Sequence, residues 1–403
     1  MTKLYLKKGR EESLRRFHPW VFSGAVGDIE GPDPAEGDAV AVYSSAKEIL
    51  GWGHFQIGSI AVRMLSFTDD MPAGGPDTAF WTERLQGCLD ARRAFGLADA
   101  AATNCYRLVH GEGDGLPGLI VDWYDGVCVM QAHSAGMFRA KEQISKALQA
   151  VYGRSLRAVY DKSSGTAPFK ANLDLGDGYL YQAGGAASLC PNTVLENGHR
   201  FLVDWGTGQK TGFFLDQREN RSLVERYAAG RRVLNLFCYT GGFSVYALAG
   251  GAVSVDSVDS SARAIELVEQ NVTLNFGPSS PHRALCCDAI DFVKAAPKDA
   301  YDLMIVDPPA FAKHRGALAN ALRAYQRLNA AAIDAVAPGG LVFTFSCSQV
   351  VDREAFALAV FSAAAQTGRR VRIIDRLGQP ADHAVNIYHP EGAYLKGLVL
   401  YVE

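Results

Sequence analysis

Five times in its second half the chain alternates a short, unbroken apolar run with a helix-length segment, and this rhythm constrains the fold more than any other feature. The runs are RVLNLF (232–237), AVSVDSV (252–258), RALCC (283–287), YDLMIVD (301–307) and LVFTFS (341–346). Strands apolar on both faces belong in a parallel sheet that helices cover from both sides. The segment 261–276, between the second and third runs, sets Ile265, Val268 and Val272 on one helical face. Gly339 and Gly340 are expected to end the helix before the fifth run. The expected fold class is therefore α/β, with a Rossmann-like, mainly parallel, doubly wound sheet over residues 190–403.

The first half reads differently. Residues 1–73 hold short strands (LYLKK, HPWVFSGAV, DAVAVYSS, ILGWGHFQIG, IAVRMLSF) between Gly, Pro and acidic turns, as in a small β-barrel. Trp20 and Phe22 alternate within one of them and are expected in its core, the other reading being an exposed binding face shared with His18. MPAGGPD (71–77) is a linker whose Asp77 suits a helix N-cap. A central α+β domain is expected over 77–185, with helices over 79–95 and 136–152 and a boundary at Gly184 and Gly185. The glycines of HGEGDGLPG (110–118) suit turns rather than phosphate, because no helix start follows them.

Composition then excludes several classes. A chain of 403 residues, 48% hydrophobic, has enough material for two or three full cores and is not a disordered protein. It has no run of membrane-spanning length and no signal-like apolar segment near its start. The eight cysteines are scattered without a CxxC pair, so neither a disulfide framework nor a metal site is expected, and the expected compartment is the reducing cytoplasm. Net charge is −3, yet residues 1–24 carry six basic residues against two acidic ones. Such local positive charge suits contact with phosphates.

In an open α/β sheet, ligands bind beyond the C-terminal strand ends. Gly241 and Gly242 open a helix directly after the first run, allowing close backbone approach, and their spacing is not the dinucleotide pattern. Asp259 ends the second run, where a carboxylate can accept ribose hydroxyls, and Asp288 follows the third, on the adenine side. The fourth ends in DPPAF (307–311): two prolines stiffen the rim, Asp307 faces a heterocycle with N–H donors, and Phe311 offers a stacking ring. The fifth ends in FTFSCSQ (343–349), which makes Cys347, flanked by Ser346 and Ser348, the candidate nucleophile.

These residues carry a resemblance. The chain resembles the ribosomal RNA large subunit methyltransferase I family through TGFFLDQREN (211–220), LNLFCYTGGF (234–243), VDSVDSS (255–261), VDPPAF (306–311), FSCS (345–348) and YHPEGAYLKG (388–397). HPWVFSGAV (18–26) and RLVHGEGDGLPGLIVD (107–122) extend it to the first half. The resemblance implies an N-terminal PUA domain, a central domain, and a class I methyltransferase domain with a seven-stranded sheet. It implies S-adenosyl-L-methionine as cofactor and 23S ribosomal RNA as partner, naked or in an assembling subunit, with no membrane; a homodimer is compatible with it. Carried over by position, Phe237, Tyr239, Thr240, Gly241, Gly242 and Phe243 would hold the methionine part, and Asp259, Ser260, Ser261 and Asp288 the adenosine. Phe214 and Gln217 would close over it. Ala310 departs from members with lysine there, and no second cysteine stands in the DPP region.

The chemistry expected is 5-methylcytosine formation through a covalent adduct. Carbon 5 of cytosine is too weak a nucleophile until a thiolate adds at carbon 6. Cys347 would be that thiolate and Asp307 would hold the ring. An ordinary thiol is mostly protonated near neutrality, so either the site favours ionisation or a base takes the proton during attack. Methylation of an exocyclic amine, methylation of uridine carbon 5, and a non-catalytic RNA-binding assembly factor are the alternatives, with a nicotinamide dehydrogenase disfavoured by the broken dinucleotide glycine pattern.

Overall fold

A computed structural model describes residues 2–168, 173–184 and 189–403. The expected boundary residue Gly185 lies outside the described residues. The chain forms two compact units: residues up to Val194 with Val203–Leu215 and Ala381–Gly392, and Leu195–Leu202 with Asp216–Pro380 and Ala393–Glu403. No described helix is long and apolar enough to cross a membrane.

The first unit begins with β1 (Lys3–Leu6), α1 (Glu12–Arg15), β2 (Trp20–Phe22), β3 (Val26–Glu30), β4 (Ala39–Tyr43), β5 (Ile49–Phe55) and β6 (Ile60–Ser66). They form one sheet in the order β2-β6-β5-β4-β1-β3, closed over Leu4, Leu6, Val40, Val42 and Val62. The expectation for β2 is corrected: Val21 is its core residue, Trp20 is half-buried and Phe22 is 48% exposed. Side chains alternate across a strand, so burying Val21 turns Trp20 and Phe22 to the other face.

Asp77 caps α2 (Thr78–Ala94) by accepting from the Phe80 N–H at 2.9 Å. A five-stranded sheet follows, built from β7 (Cys105–His110), β8 (Leu119–Tyr124), β9 (Val127–Ala132), β10 (Ala158–Asp161) and β11 (Gly178–Gln182) in the order β11-β10-β9-β8-β7. The helix expected over 136–152 is two, α3 (Ala135–Arg139) and α4 (Lys141–Tyr152), joined at Ala140. In HGEGDGLPG the glycines serve a turn: Gly111, Gly115 and Gly118 all have positive φ. The buried Arg92 pairs with Asp114 and donates to the Asp382 carbonyl at 2.9 Å, which ties Ala381–Gly392 into this unit.

The chain leaves this unit through the hairpin β12 (Asn192–Glu196) and β13 (His199–Val203). The second unit is then α5 (Arg218–Tyr227), β14 (Arg232–Leu236), α6 (Gly242–Ala249), β15 (Ser254–Asp259), α7 (Ala262–Phe276), β16 (His282–Cys286), α8 (Ala289–Ala295), β17 (Tyr301–Val306), α9 (Leu318–Ala335), β18 (Val336–Ser346), α10 (Arg353–Thr367), β19 (Val371–Leu377) and β20 (Lys396–Val402). Its seven strands run β16-β15-β14-β17-β18-β20-β19, parallel except for β20, which is antiparallel to both neighbours. Strand order reverses between β14 and β17, and in such sheets that crevice is where ligands bind.

One expectation fails here. Gly339 and Gly340 do not end a helix: α9 stops at Ala335 and both glycines lie inside β18. The register there jumps from Tyr301 opposite Val336 to Leu303 opposite Leu341, an irregularity that the positive φ of Gly339 accommodates.

Candidate active site

The loop after β14 is wound unusually tightly. Phe237, Tyr239 and Gly241 all have positive φ, at 58°, 47° and 77°. Such conformations are costly for residues with a Cβ and concentrate where backbone must be aimed at a ligand. A Cβ on Gly241 would stand 3.0 Å from Val268, and one on Gly242 3.0 Å from the Arg221 side chain, so helix packing already fills both places. Phe237 and Tyr239 are half-buried, while Thr240 is buried and its carbonyl accepts from Asn271 at 2.8 Å. Phe243 lies in the core, its ring 5.7 Å from Phe345.

Asp259 holds this loop against β15. One oxygen accepts from the Tyr239 N–H at 3.0 Å and the other from the Ser261 N–H at 2.9 Å. Each oxygen keeps a second lone pair for a ribose hydroxyl. Ser260 is exposed, as is Ser261, whose hydroxyl caps α7 by accepting from the Ala264 N–H. Asp288 is exposed and caps α8, one oxygen accepting from the N–H groups of Ile290 and Asp291. Asp259, Ser261 and Asp288 therefore all have local backbone roles.

The rim of β17 and β18 is more enclosed. The Gln217 amide donates to Asp307 at 3.0 Å, and its own oxygen accepts from Asn220. Burial, and next the charge of Asp216, push the Asp307 carboxyl up to about 7, against the pull of the Gln217 bond. Cys347 is half-buried; burial first, then the charges of Asp307 and Asp216, push its thiol up to about 11, with Lys396 pulling the other way. The flanking hydroxyls do not serve the sulfur: Ser346 donates to Tyr325 at 2.9 Å and Ser348 to the Ala312 carbonyl at 2.6 Å. Phe311 packs its ring 4.7 Å from Tyr325.

Three residues of this rim were not singled out from sequence. Asp216 accepts from the Tyr394 hydroxyl at 2.7 Å, while its other oxygen is buried with no hydrogen-bond partner. Lys396 is 4% exposed and donates to the Ser348 carbonyl at 2.5 Å. All three stand inside quoted motifs, TGFFLDQREN and YHPEGAYLKG, whose spacing says nothing about convergence. Phe214 is half-buried and belongs to the first unit.

Two carboxylates, an orphaned acceptor on Asp216 and the free lone pairs of Asp259 suit a ligand with positive charge, N–H donors and a ribose. S-adenosylmethionine, a sulfonium and ammonium cation joined to an adenosine, fits those residues.

The comparisons agree. The family profile described as S-adenosylmethionine-dependent methyltransferase matches residues 106–399, and that described as a PUA-like domain matches residues 4–67. Proteins named ribosomal RNA large subunit methyltransferase I are similar along their whole length: 38% identical from Aeromonas hydrophila, covering 99% of each chain, and 38% from Photobacterium profundum, covering 100% of each. Among solved structures, one described as a SAM-dependent methyltransferase from Streptococcus mutans superposes with a TM-score of 0.82, and SMU.776, a methyltransferase complexed with SAH, with 0.84. Each is 25% identical and covers 100% of both chains.

Proposed function

Since the chain belongs to the ribosomal RNA large subunit methyltransferase I family of S-adenosylmethionine-dependent methyltransferases, we propose that it converts a cytosine of 23S ribosomal RNA to 5-methylcytosine through a covalent adduct on Cys347. The observation that carries this reading is the half-buried Cys347 at the end of β18, under the charge of Asp307 at the end of β17. Those strands are neighbours beside the topological switch point.

The cofactor supplies an electrophilic methyl group on a sulfonium. Gly241, Gly242, Asp259 and the Asp216 carboxylate would hold it. The protein's own task is to make carbon 5 nucleophilic. Cys347 sulfur adds to carbon 6, and the electron pair of the ring double bond moves toward carbon 5 and the ring nitrogen. A carboxyl titrating near 7 is partly protonated at neutral pH, so Asp307 can donate to that nitrogen as negative charge grows there. Gln217 fixes the Asp307 carboxyl for this contact. Loss of the carbon-5 proton and elimination of the sulfur free the modified base and return the thiol.

The basic N-terminal module, in a PUA-like domain, supplies phosphate contacts, and the target base must be turned out of its stack to reach the rim. The curated relatives' names give the RNA class; the modified atom rests on Cys347 and Asp307.

One observation favours a second reading. The resting thiol is protonated, which methylation of an exocyclic amine oriented by Asp307 would leave unused. Cys347→Ala decides between them. Loss of methyl transfer with retained cofactor binding, and a stable adduct of the wild-type sulfur with 5-fluorocytosine-substituted RNA, are expected. Near-normal turnover, with a nitrogen-methylated base in the digested RNA, would remove the covalent scheme.

A further inference from the structure

A thiol held near 11 cannot attack until something removes its proton. The last strand supplies an amine beside it. In the β18–β20 pairing Lys396 stands directly opposite Ser346, the residue before Cys347. Its amine donates at 2.5 Å to the carbonyl of Ser348, the residue after Cys347. Lys396 is thus fixed to the backbone on both sides of the sulfur, by register on one and by a hydrogen bond on the other.

A lysine 4% exposed is rare unless an anion neutralises it. Among the described residues, Lys396 has that one side-chain hydrogen bond and no paired carboxylate. Its environment accordingly favours the neutral amine. Burial brings it down to about 8; Arg353 acts in the same direction, while Cys347 and Asp352 act against it. At physiological pH a useful fraction of such an amine has a free lone pair, which an ordinary lysine lacks.

We infer that Lys396 is the base that takes the Cys347 thiol proton during attack and gives it back when the adduct breaks down. This rests on the covalent reading above. The S–H bond breaks as its proton passes to the lone pair of the Lys396 nitrogen, and the sulfur pair forms the bond to carbon 6. At the end the carbon–sulfur bond breaks, the sulfur keeps the pair, and the ammonium returns the same proton. Lys396 begins and ends neutral, while the carbon-5 proton goes to water. The Ser348 carbonyl takes one N–H throughout, and this orients the lone pair.

Alkylation of Cys347 by iodoacetamide, followed by peptide mass spectrometry on the full chain without RNA, tests the pair directly. In the wild type the rate should rise with pH through an inflection near that of the amine, about 8. In Lys396→Met that inflection should vanish and the rate near pH 8 should fall at least about tenfold. Lys396→Arg keeps a cation and a donor for Ser348 but accepts no proton, so it should bind S-adenosylhomocysteine normally while losing about 10²–10⁴-fold in single-turnover methyl transfer. A small primary amine should partly restore Lys396→Ala.

A wild-type alkylation profile with no inflection near 8, or Lys396→Arg with wild-type turnover, would overturn the inference. The alkylation profile needs no substrate. If it behaves as expected while Cys347→Ala still methylates, the Cys347–Lys396 pair stands and the covalent reading is what fails.

Discussion

Asp307 shows at the scale of one residue how a site departs from what stability would choose. Its folded carboxyl titrates near 7, well above the unfolded value, because burial and Asp216 disfavour the anion. Below the unfolded value both states carry the proton and nothing is lost. As pH climbs through 7 the unfolded chain has released its proton more readily, so the folded state loses stability. Asp307→Asn should therefore stabilise the ligand-free protein more at pH 8 than at pH 5, by on the order of 1–3 kcal/mol and so with the larger rise in melting temperature at pH 8, while abolishing methyl transfer. Thermal melts at the two pH values check this, and an equal shift at both would contradict it. The strand-end places of Asp307 and Cys347 were legible in sequence because each follows an apolar run. Lys396 and Asp216 were not: each sits in a motif far along the chain from its partners, and only strand register brings Lys396 beside Cys347.

At the scale of elements, α5 sets the start of α6 through a buried ionic cluster. Glu196 on β12 accepts from Arg221 at 2.7 and 2.8 Å and from the Tyr246 hydroxyl at 3.0 Å, with Arg218 3.6 Å away. Arg221 in turn lies against Gly242 in the cofactor loop. Glu196→Gln removes the negative charge that two buried guanidinium groups face and should cost about 3–5 kcal/mol, measured by urea denaturation. A smaller second effect is expected at Gly241: Gly241→Ala meets both a positive φ and Val268, and should weaken S-adenosylhomocysteine binding while preserving the sheet. Calorimetry distinguishes that from unfolding. The strands and α7 were readable because apolar period and length survive in a single sequence. The errors came where one residue type serves two structures: the Gly339–Gly340 pair reads as a helix end and is a strand irregularity. Trp20 and Phe22 read as core because they alternate along the strand, and Val21, on the opposite face, takes that place.

The whole molecule combines a net charge of −3 with a basic N-terminal stretch. Part of that stretch is already neutralised, since Lys3 pairs with Glu30 and Arg15 with Glu48 on the surface. With roughly four basic side chains left for phosphates, affinity for large-subunit RNA fragments should fall about 10²-fold when salt is raised about fourfold. Filter binding across that range checks it, and a flat response would rule out phosphate-led docking. Composition hid this because the two signs nearly cancel over the chain. The sheet has its own consequence at this scale. β20 occupies an inner slot between β18 and β19, and among the described residues β19 pairs with no other strand. During synthesis the ribosome must release residues 396–402 before the gap can be filled, so a growing or nicked polypeptide has an open hydrogen-bonding edge beside its thiol. Such a chain is prone to self-association until residues 396–402 thread into place.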